Sequence, residues 1–168
     1  MITIGTAIRG DIGAVDALLA RAYPRLLKAD YPPSILVTAI PLISRAQPAL
    51  VACGTYYVAE REGRIVGAGG WTASGPGGGS REPSRANVRH VVTDDREVRQ
   101  GIGRAILTRV IESAGTAGMT WIHCLSTRTA VPFYKVMGFD PLGETVVPLG
   151  PGVAFPAIAM RRDLAPPR

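Results

Sequence analysis

The 168-residue chain is short of several features that define large classes of protein. No apolar run reaches the roughly 20 residues needed to cross a bilayer as a helix. The N-terminus MITIGTAIRGD lacks the basic head and long apolar stretch of a secretory signal. A soluble, cytoplasmic protein with no membrane partner is the expectation. Cysteine is scarce, with 2 in the chain. Cys53 and Cys124 have no partners at metal-ligand spacing, so no metal is expected and both read as small buried hydrophobes. Aromatics are only 6%, and the arginines behind the net charge of +6 are dispersed rather than packed into a run. That pattern argues against a stacking platform for nucleic acid. It leaves a phosphorylated small ligand, or arginine on solvated faces, as the meaning of the charge.

What is present suits one globular domain over residues 1–168: 46% hydrophobic and 19% charged residues permit a sizeable core. MITIGTAIR alternates like a strand. Asp11 is placed to cap a helix over about 12–29, striped by Ile12, Val15, Leu18, Leu19 and Ala22. A second helix follows the Pro-Pro turn and is expected to break near Pro41. QPALVACG reads as a short helix ended by Gly54. TYYVAE and RIVGAGGWT form a hairpin around the turn REG. ASGPGGGSREPS is a loop, ANVRHVVT a strand, 101–117 a helix, and MTWIHCLS a buried strand without polar alternation. TAVPFYKVMG is a short helix, and ETVVPL and VAFPAIAMRRDL are closing strands. Pro156 suggests an edge or a bulge in the last of them.

Chemistry concentrates in VVTDDREVRQGIGRAIL. A helix begins inside it, and the first turn of a helix has unpaired amides at the positive end of the dipole. Loop amides before it can form a concave anion nest. Gly101 and Gly103 remove side chains so that a phosphate can approach, and Arg99 and Arg104 can pair with its oxygens. The stretch is neither a Walker loop nor a Rossmann fingerprint, because the spacings of both are missing. On its own it is equally a helix N-terminus with a structural glycine. Ile102, Ile106, Val110 and Ala114 form the apolar row of that helix, and Arg104, Thr108 and Glu112 its wet row.

The second stretch, STRTAVPFYKVMGF, follows the next strand directly. At this separation the two together resemble the GNAT superfamily of N-acetyltransferases, which move an acyl group from acetyl-CoA to an amine. The family loop Q/R-x-x-G-x-G/A is matched by Val98-Arg99-Gln100-Gly101-Ile102-Gly103, departing only at Val98. Thr129 stands where an Asn is common. The resemblance covers about residues 55–163, and the element order agrees over the whole chain.

The resemblance implies an α/β fold. Its central sheet of about seven mixed, mostly antiparallel strands is splayed between strands 4 and 5 and flanked by about four helices. It implies acetyl-CoA as co-substrate, held by a core over 86–139. Val91, Val92 and Thr93 would bond the pantetheine arm as an added strand would. The amides of Arg99, Gln100, Gly101, Ile102, Gly103, Arg104 and Ala105 would hold the pyrophosphate. Tyr134 would protonate the departing thiolate, and a phenol of pKa about 10 suits that task. The competing reading of Tyr134 is a packed helix tyrosine. The family's strand-4 glutamate has no counterpart in ANVRHVVT, so the base is His90, Glu60 acting through water, or water itself. His123 reads as a core residue. Trp71, Tyr23 and Tyr31 could line an acceptor pocket or pack in the core.

The expected activity is transfer of acetyl to the primary amine of a small molecule. The rivals are a CoA-binding sensor module, an acetyltransferase of protein N-termini or lysines, and a nucleic-acid binder. A homodimer is left open.

Overall fold

The chain builds a seven-stranded sheet in the order β1-β2-β3-β4-β5-β7-β6. The structure is a computed structural model that describes residues 1–75 and 82–164. Its strands are β1 (Thr3–Thr6), β2 (Tyr56–Arg61), β3 (Arg64–Thr72), β4 (Arg85–Thr93), β5 (Trp121–Ser126), β6 (Asp140–Gly150) and β7 (Val153–Asp163). Its helices are α1 (Ile12–Leu27), α2 (Pro33–Ile43), α3 (Pro48–Val51), α4 (Ile102–Thr116) and α5 (Val131–Val136). Half of the ASGPGGGSREPS loop, residues 76–81, lies outside the described residues. Among the described residues, no helix is long and apolar enough to cross a membrane.

Period-2 alternation sorts side chains onto two faces of the sheet. Tyr57 and Ala59 of β2 join the core under α4, while Tyr56 and Val58 join the core under α1 and α3. On α4 the predicted row of Ile102, Ile106, Val110 and Ala114 is buried, with Leu107 beside it. Each buried Ile, Leu or Val among them contributes about 1.5–3 kcal/mol by leaving water, and the Ala114 methyl less. The GAGG of β3 explains how close α4 lies. A Cβ on Gly67 would stand 2.6 Å from Ile102 Cγ2, and one on Gly69 would stand 2.9 Å from Ile106 Cγ2.

All strand pairs are antiparallel except β4 with β5, which is parallel. That pair is also the shortest in reach. Arg85, Ala86 and Asn87 match Trp121, Ile122 and His123, and then the strands part. Asn87 marks the divergence, its Nδ2 donating to Thr72 O and Ala73 O on the β3 side. Beyond it, residues 88–93 of β4 have no partner on β5.

Several expectations are corrected. The Asp11 carboxylate does not cap α1; it turns back to accept from Ile8 N–H at 2.9 Å. Pro41 does not break α2, which runs on to Ile43. One missing N–H so near a helix end costs little, because no full turn follows it. β5 does alternate: Ile122, Cys124 and Ser126 are buried, and Trp121, His123 and Leu125 are half-buried. Cys124 is buried as expected, but Cys53 is exposed. Pro156 lies in a strand paired on both sides, yet β5 pairs with β7 only from Ile158 onward. At Pro156 itself β7 is locally an edge, which is where a missing N–H is tolerated.

Candidate active site

The divergence of β4 and β5 opens a cavity of about 900 Å³. One wall is β4 from Val88 through His90, Val91, Val92 and Thr93. The opposite wall runs from Cys124 to Ser126 on β5 and continues through Thr127, Thr129, Phe133 and Tyr134 before and on α5. The start of α4 closes one end with Arg99, Gly101, Ile102, Gly103 and Arg104, and Tyr23 and Leu26 of α1 overhang the gap. The lining contains no Asp or Glu.

The α4 end combines left-handed backbone with amides that no carbonyl among the described residues engages. Gly101 caps the helix at φ +80°, and Arg99 is also left-handed at φ +63°. Among the described residues, no backbone carbonyl accepts from the amides of residues 99–104. The next amide, that of Ala105, is already bonded to Gly101 O at 3.0 Å, so Ala105 has no N–H to offer a ligand. Gln100 is likewise turned away: it is exposed, outside the lining, and its Oε1 accepts from Arg61 Nη1 at 2.7 Å. The two glycines do different work. Nothing lies within 4 Å of a Cβ on Gly101, so its glycine serves the backbone angle. The space over Gly103 is filled by protein rather than open to a ligand, with Phe133 and Thr93 Oγ1 at 3.3 Å from a Cβ built there.

The loop that carries these amides is anchored by Asp94, whose side chain is buried. It accepts from Arg96 N at 2.9 Å and from the Arg96 guanidinium, and it pairs with Arg21 of α1. Burial works to raise the Asp94 pKa, but the Arg96 hydrogen bonds and the charges of Arg21 and Arg96 prevail and hold it at about 2.

On the opposite wall, Thr129 Oγ1 is buried without a hydrogen-bond partner. Tyr134 is buried at 5% exposure, with its ring edge-on to Phe133 and Phe139. Burial first, and then the neighbouring Cys124 thiol, push its pKa well above the ordinary 10, so the phenol keeps its proton at neutral pH. Cys124 is itself pushed up to about 12 by burial, and so is a thiol rather than a nucleophile.

β4 carries a β-bulge in this wall. Ala68 pairs with Val92 and Gly70 with Arg89, so one residue of β3 faces two of β4 between those pairs. His90 sits in the bulge at φ +45°, and its carbonyl accepts from Tyr56 OH at 3.1 Å. The bulge brings two consecutive residues to one partner: Gln47 Oε1 accepts from Arg89 Nη2 at 3.2 Å, and Gln47 Nε2 lies 3.2 Å from His90 Nε2. Arginine can only donate. The Gln47 carbonyl must therefore face Arg89 and its NH₂ must face His90, which makes His90 Nε2 the acceptor and puts the ring proton on Nδ1. Burial, reinforced by the Arg89 charge, lowers the His90 pKa to about 4.

Of the residues singled out in the sequence, His90, Val91, Val92, Thr93, Arg99, Gly101, Ile102, Gly103, Arg104, Thr129 and Tyr134 are brought to one cavity. Glu60 is exposed and outside the lining. Trp71 is a core residue that donates to Ser113 Oγ at 2.9 Å. Tyr31 is buried, stacked on Phe155, and donates to Pro156 O at 2.8 Å. His123 packs edge-on to Trp121. The sequence reading missed Phe133, Gln47 and Arg89. Phe133 stood inside a quoted motif. The only signal for Arg89 was a charged residue within an otherwise apolar strand.

The family model described as an acetyltransferase (GNAT) domain matches residues 52–141. No curated protein matches the chain in sequence. Among solved structures, the chain resembles the PaiA N-acetyltransferase of Thermoplasma acidophilum in complex with coenzyme A. That match has 11% identity and a TM-score of 0.74, covering 97% of this chain and 99% of the other. It resembles a GCN5-related N-acetyltransferase of Rhodopseudomonas palustris at 15% identity and TM-score 0.77, covering 96% and 95%. It also resembles YncA of Salmonella typhimurium, solved with its cofactor acetyl-CoA, at 15% identity and TM-score 0.71, covering 100% and 96%.

Proposed function

The chain belongs to the GNAT acetyltransferase family, and on that premise we propose that it is an acetyl-CoA-dependent N-acetyltransferase acting on the primary amine of a small molecule by direct attack. Residues 1–168 form one such domain, with the cofactor-binding core at 86–139. The observation that carries this reading is a single cavity that joins the free amides of 99–104 to the buried, protonated Tyr134 across the β4–β5 gap.

The residues present fit the co-substrate. The unpaired amides of 99–104 and the Arg99 and Arg104 side chains suit a pyrophosphate. The free β4 edge at Val91, Val92 and Thr93 suits an amide-bearing arm that bonds as a strand would. The orphan Thr129 Oγ1 is a further polar contact for it.

In the reaction the amine nitrogen bonds to the thioester carbonyl carbon and the C–S bond breaks. Tyr134 gives its phenolic proton to the leaving thiolate. The proton lost by the amine goes to water at the bulge. His90 is a weak base there, because its Nε2 is engaged by Gln47 and its pKa is held near 4. Its neutrality matters in another way: it places no second positive charge beside the amine.

Two measurements test the proposal. Acetyl-CoA at about 100 times its dissociation constant should stabilise the protein by roughly 2.7 kcal/mol in thermal melts. A panel of amines incubated with acetyl-CoA should release thiol. Melts unmoved by millimolar acetyl-CoA would refute the cofactor assignment. Stabilised melts with no thiol release from any amine would favour a CoA-binding module instead.

A further inference from the structure

Arg89 is 8% exposed and pairs with Gly70 in the sheet next to the bulge. Its Nη1 donates to Thr72 Oγ1 at 3.1 Å and its Nη2 to Gln47 Oε1 at 3.2 Å. Both acceptors are neutral. The remaining donors have no acceptor among the described residues, and Nε–H among them is buried. No carboxylate among the described residues pairs with Arg89, and the stretches 76–81 and 165–168 contain no Asp or Glu. A buried charge is costly unless an opposite charge meets it. A guanidinium fork with spare parallel donors is complementary to a carboxylate, which it can bind by two bonds at once.

Its position adds to this. The extra residue of the bulge turns Arg89 and His90 to the same partner, Gln47. His90 lines the cavity, so the guanidinium lies one amide group away from the cavity wall. The cavity itself offers no carboxylate to a cationic acceptor. A polyamine or aminoglycoside would bring several ammonium groups to a site whose charged lining residues, Arg99 and Arg104, are cationic.

We propose that Arg89 anchors a carboxylate of the acceptor, so that the acceptor is an amino acid or a similarly short amine bearing a carboxylate, with its amine presented at the bulge beside His90. Acetylation of that amine rests on the function proposed above; carboxylate binding does not.

The test uses wild-type protein, acetyl-CoA, the L-amino acids, their C-terminal amides, and spermidine, with thiol release as readout. The acids should show kcat/KM at least about tenfold above their amides, the effect of one charge-assisted pair. Amine basicity works against this result, since the amide's amine is the weaker base and more of it is unprotonated at neutral pH. Arg89→Gln should bring the acids down to the level of the amides while the thermal shift with acetyl-CoA persists. Arg89→Lys, which keeps the charge and loses the fork, should fall between. If Arg89→Gln does not fold, the wild-type comparison decides alone.

If no amine in the panel causes wild type to release thiol, acetyl transfer fails but the anchor is still read directly. With CoA present, calorimetric titration should show binding of N-acetyl amino acids and not of N-acetyl amino amides. Equal treatment of acids and amides, a preference for spermidine, or undiminished acid preference in folded Arg89→Gln overturns the proposal.

Discussion

Gly103 and Phe133 meet across the end of the cavity: a Cβ on Gly103 would stand 3.3 Å from two ring carbons of Phe133. The contact joins the first turn of α4 to α5, and so joins the end with the unpaired amides to the helix that carries Tyr134. Alanine at 103 needs a shift of a few tenths of an ångström. A branched side chain needs far more, because Thr93 Oγ1 stands equally close. Gly103→Val should therefore fold but push Phe133 and the α4 amides apart. The expected loss of CoA affinity is at least about tenfold, or 1.4 kcal/mol, by titration calorimetry. Unchanged affinity in a folded variant would show that the α4–α5 contact does not set the site.

His90 gives a pH signature of stability. Its pKa is lowered from 6.5 to about 4 in the fold, so between those values the unfolded chain binds the extra proton. Stability is full above 6.5 and falls as pH drops towards 4, by at most about 3 kcal/mol. His90→Asn keeps a residue that tolerates positive φ and removes the titration. Denaturant midpoints of wild type and variant should converge as pH falls through this window, since only wild type loses the term. A constant difference across it would contradict the neutral, Gln47-bonded imidazole.

Asp94 acts in a lower window. Its pKa is depressed from 3.8 to about 2, so its contribution is present above 3.8 and is lost as pH falls through 2. At neutral pH, Asp94→Asn removes the anion shared by Arg21 and Arg96 and loosens the start of the α4 loop, where Asp95 still pairs with Arg21. A stability loss of about 1–3 kcal/mol is expected, together with weaker CoA binding, because the amides of 99–104 are held from this point. Full CoA affinity in Asp94→Asn would mean that the loop is positioned without the Asp94 carboxylate.

Much of this was legible in the chain. The turn signal between TYYVAE and RIVGAGGWT and the row from Ile102 to Ala114 already mark the β2–β3 hairpin and the buried face of α4, because turn chemistry and apolar spacing are local features. The pair of glycine and PFY motifs located the cavity. What escaped depended on geometry that no pattern encodes. The bulge at His90 arises from a one-residue mismatch between β3 and β4, and it is this mismatch that brings Arg89 to Gln47, 42 residues away in sequence. Gly103 shows the same limit: a glycine that stands against a neighbouring ring looks, in sequence, like one cleared for a phosphate.

Tyr134 carries the sharpest prediction. Its hydroxyl is buried, holds its proton well above pH 10, and has the Cys124 thiol as neighbour, while its ring is clamped between Phe133 and Phe139. Tyr134→Phe keeps the ring contacts and removes only the hydroxyl, so fold and acetyl-CoA affinity should hold. If the phenol protonates the leaving thiolate, turnover should fall by about 10²–10⁴. A raised phenol pKa does not defeat this role, because the thiolate forms in the same buried setting, where its own pKa rises too. The defect should shrink at low pH, where solvent protonates the thiolate more readily. Cys124→Ala separates the two neighbours: it leaves the phenol's proton in place and should cost turnover less than about tenfold. Turnover of Tyr134→Phe within about threefold of wild type, with binding intact, would remove the hydroxyl from the chemistry and leave the ring as packing between α5 and β5.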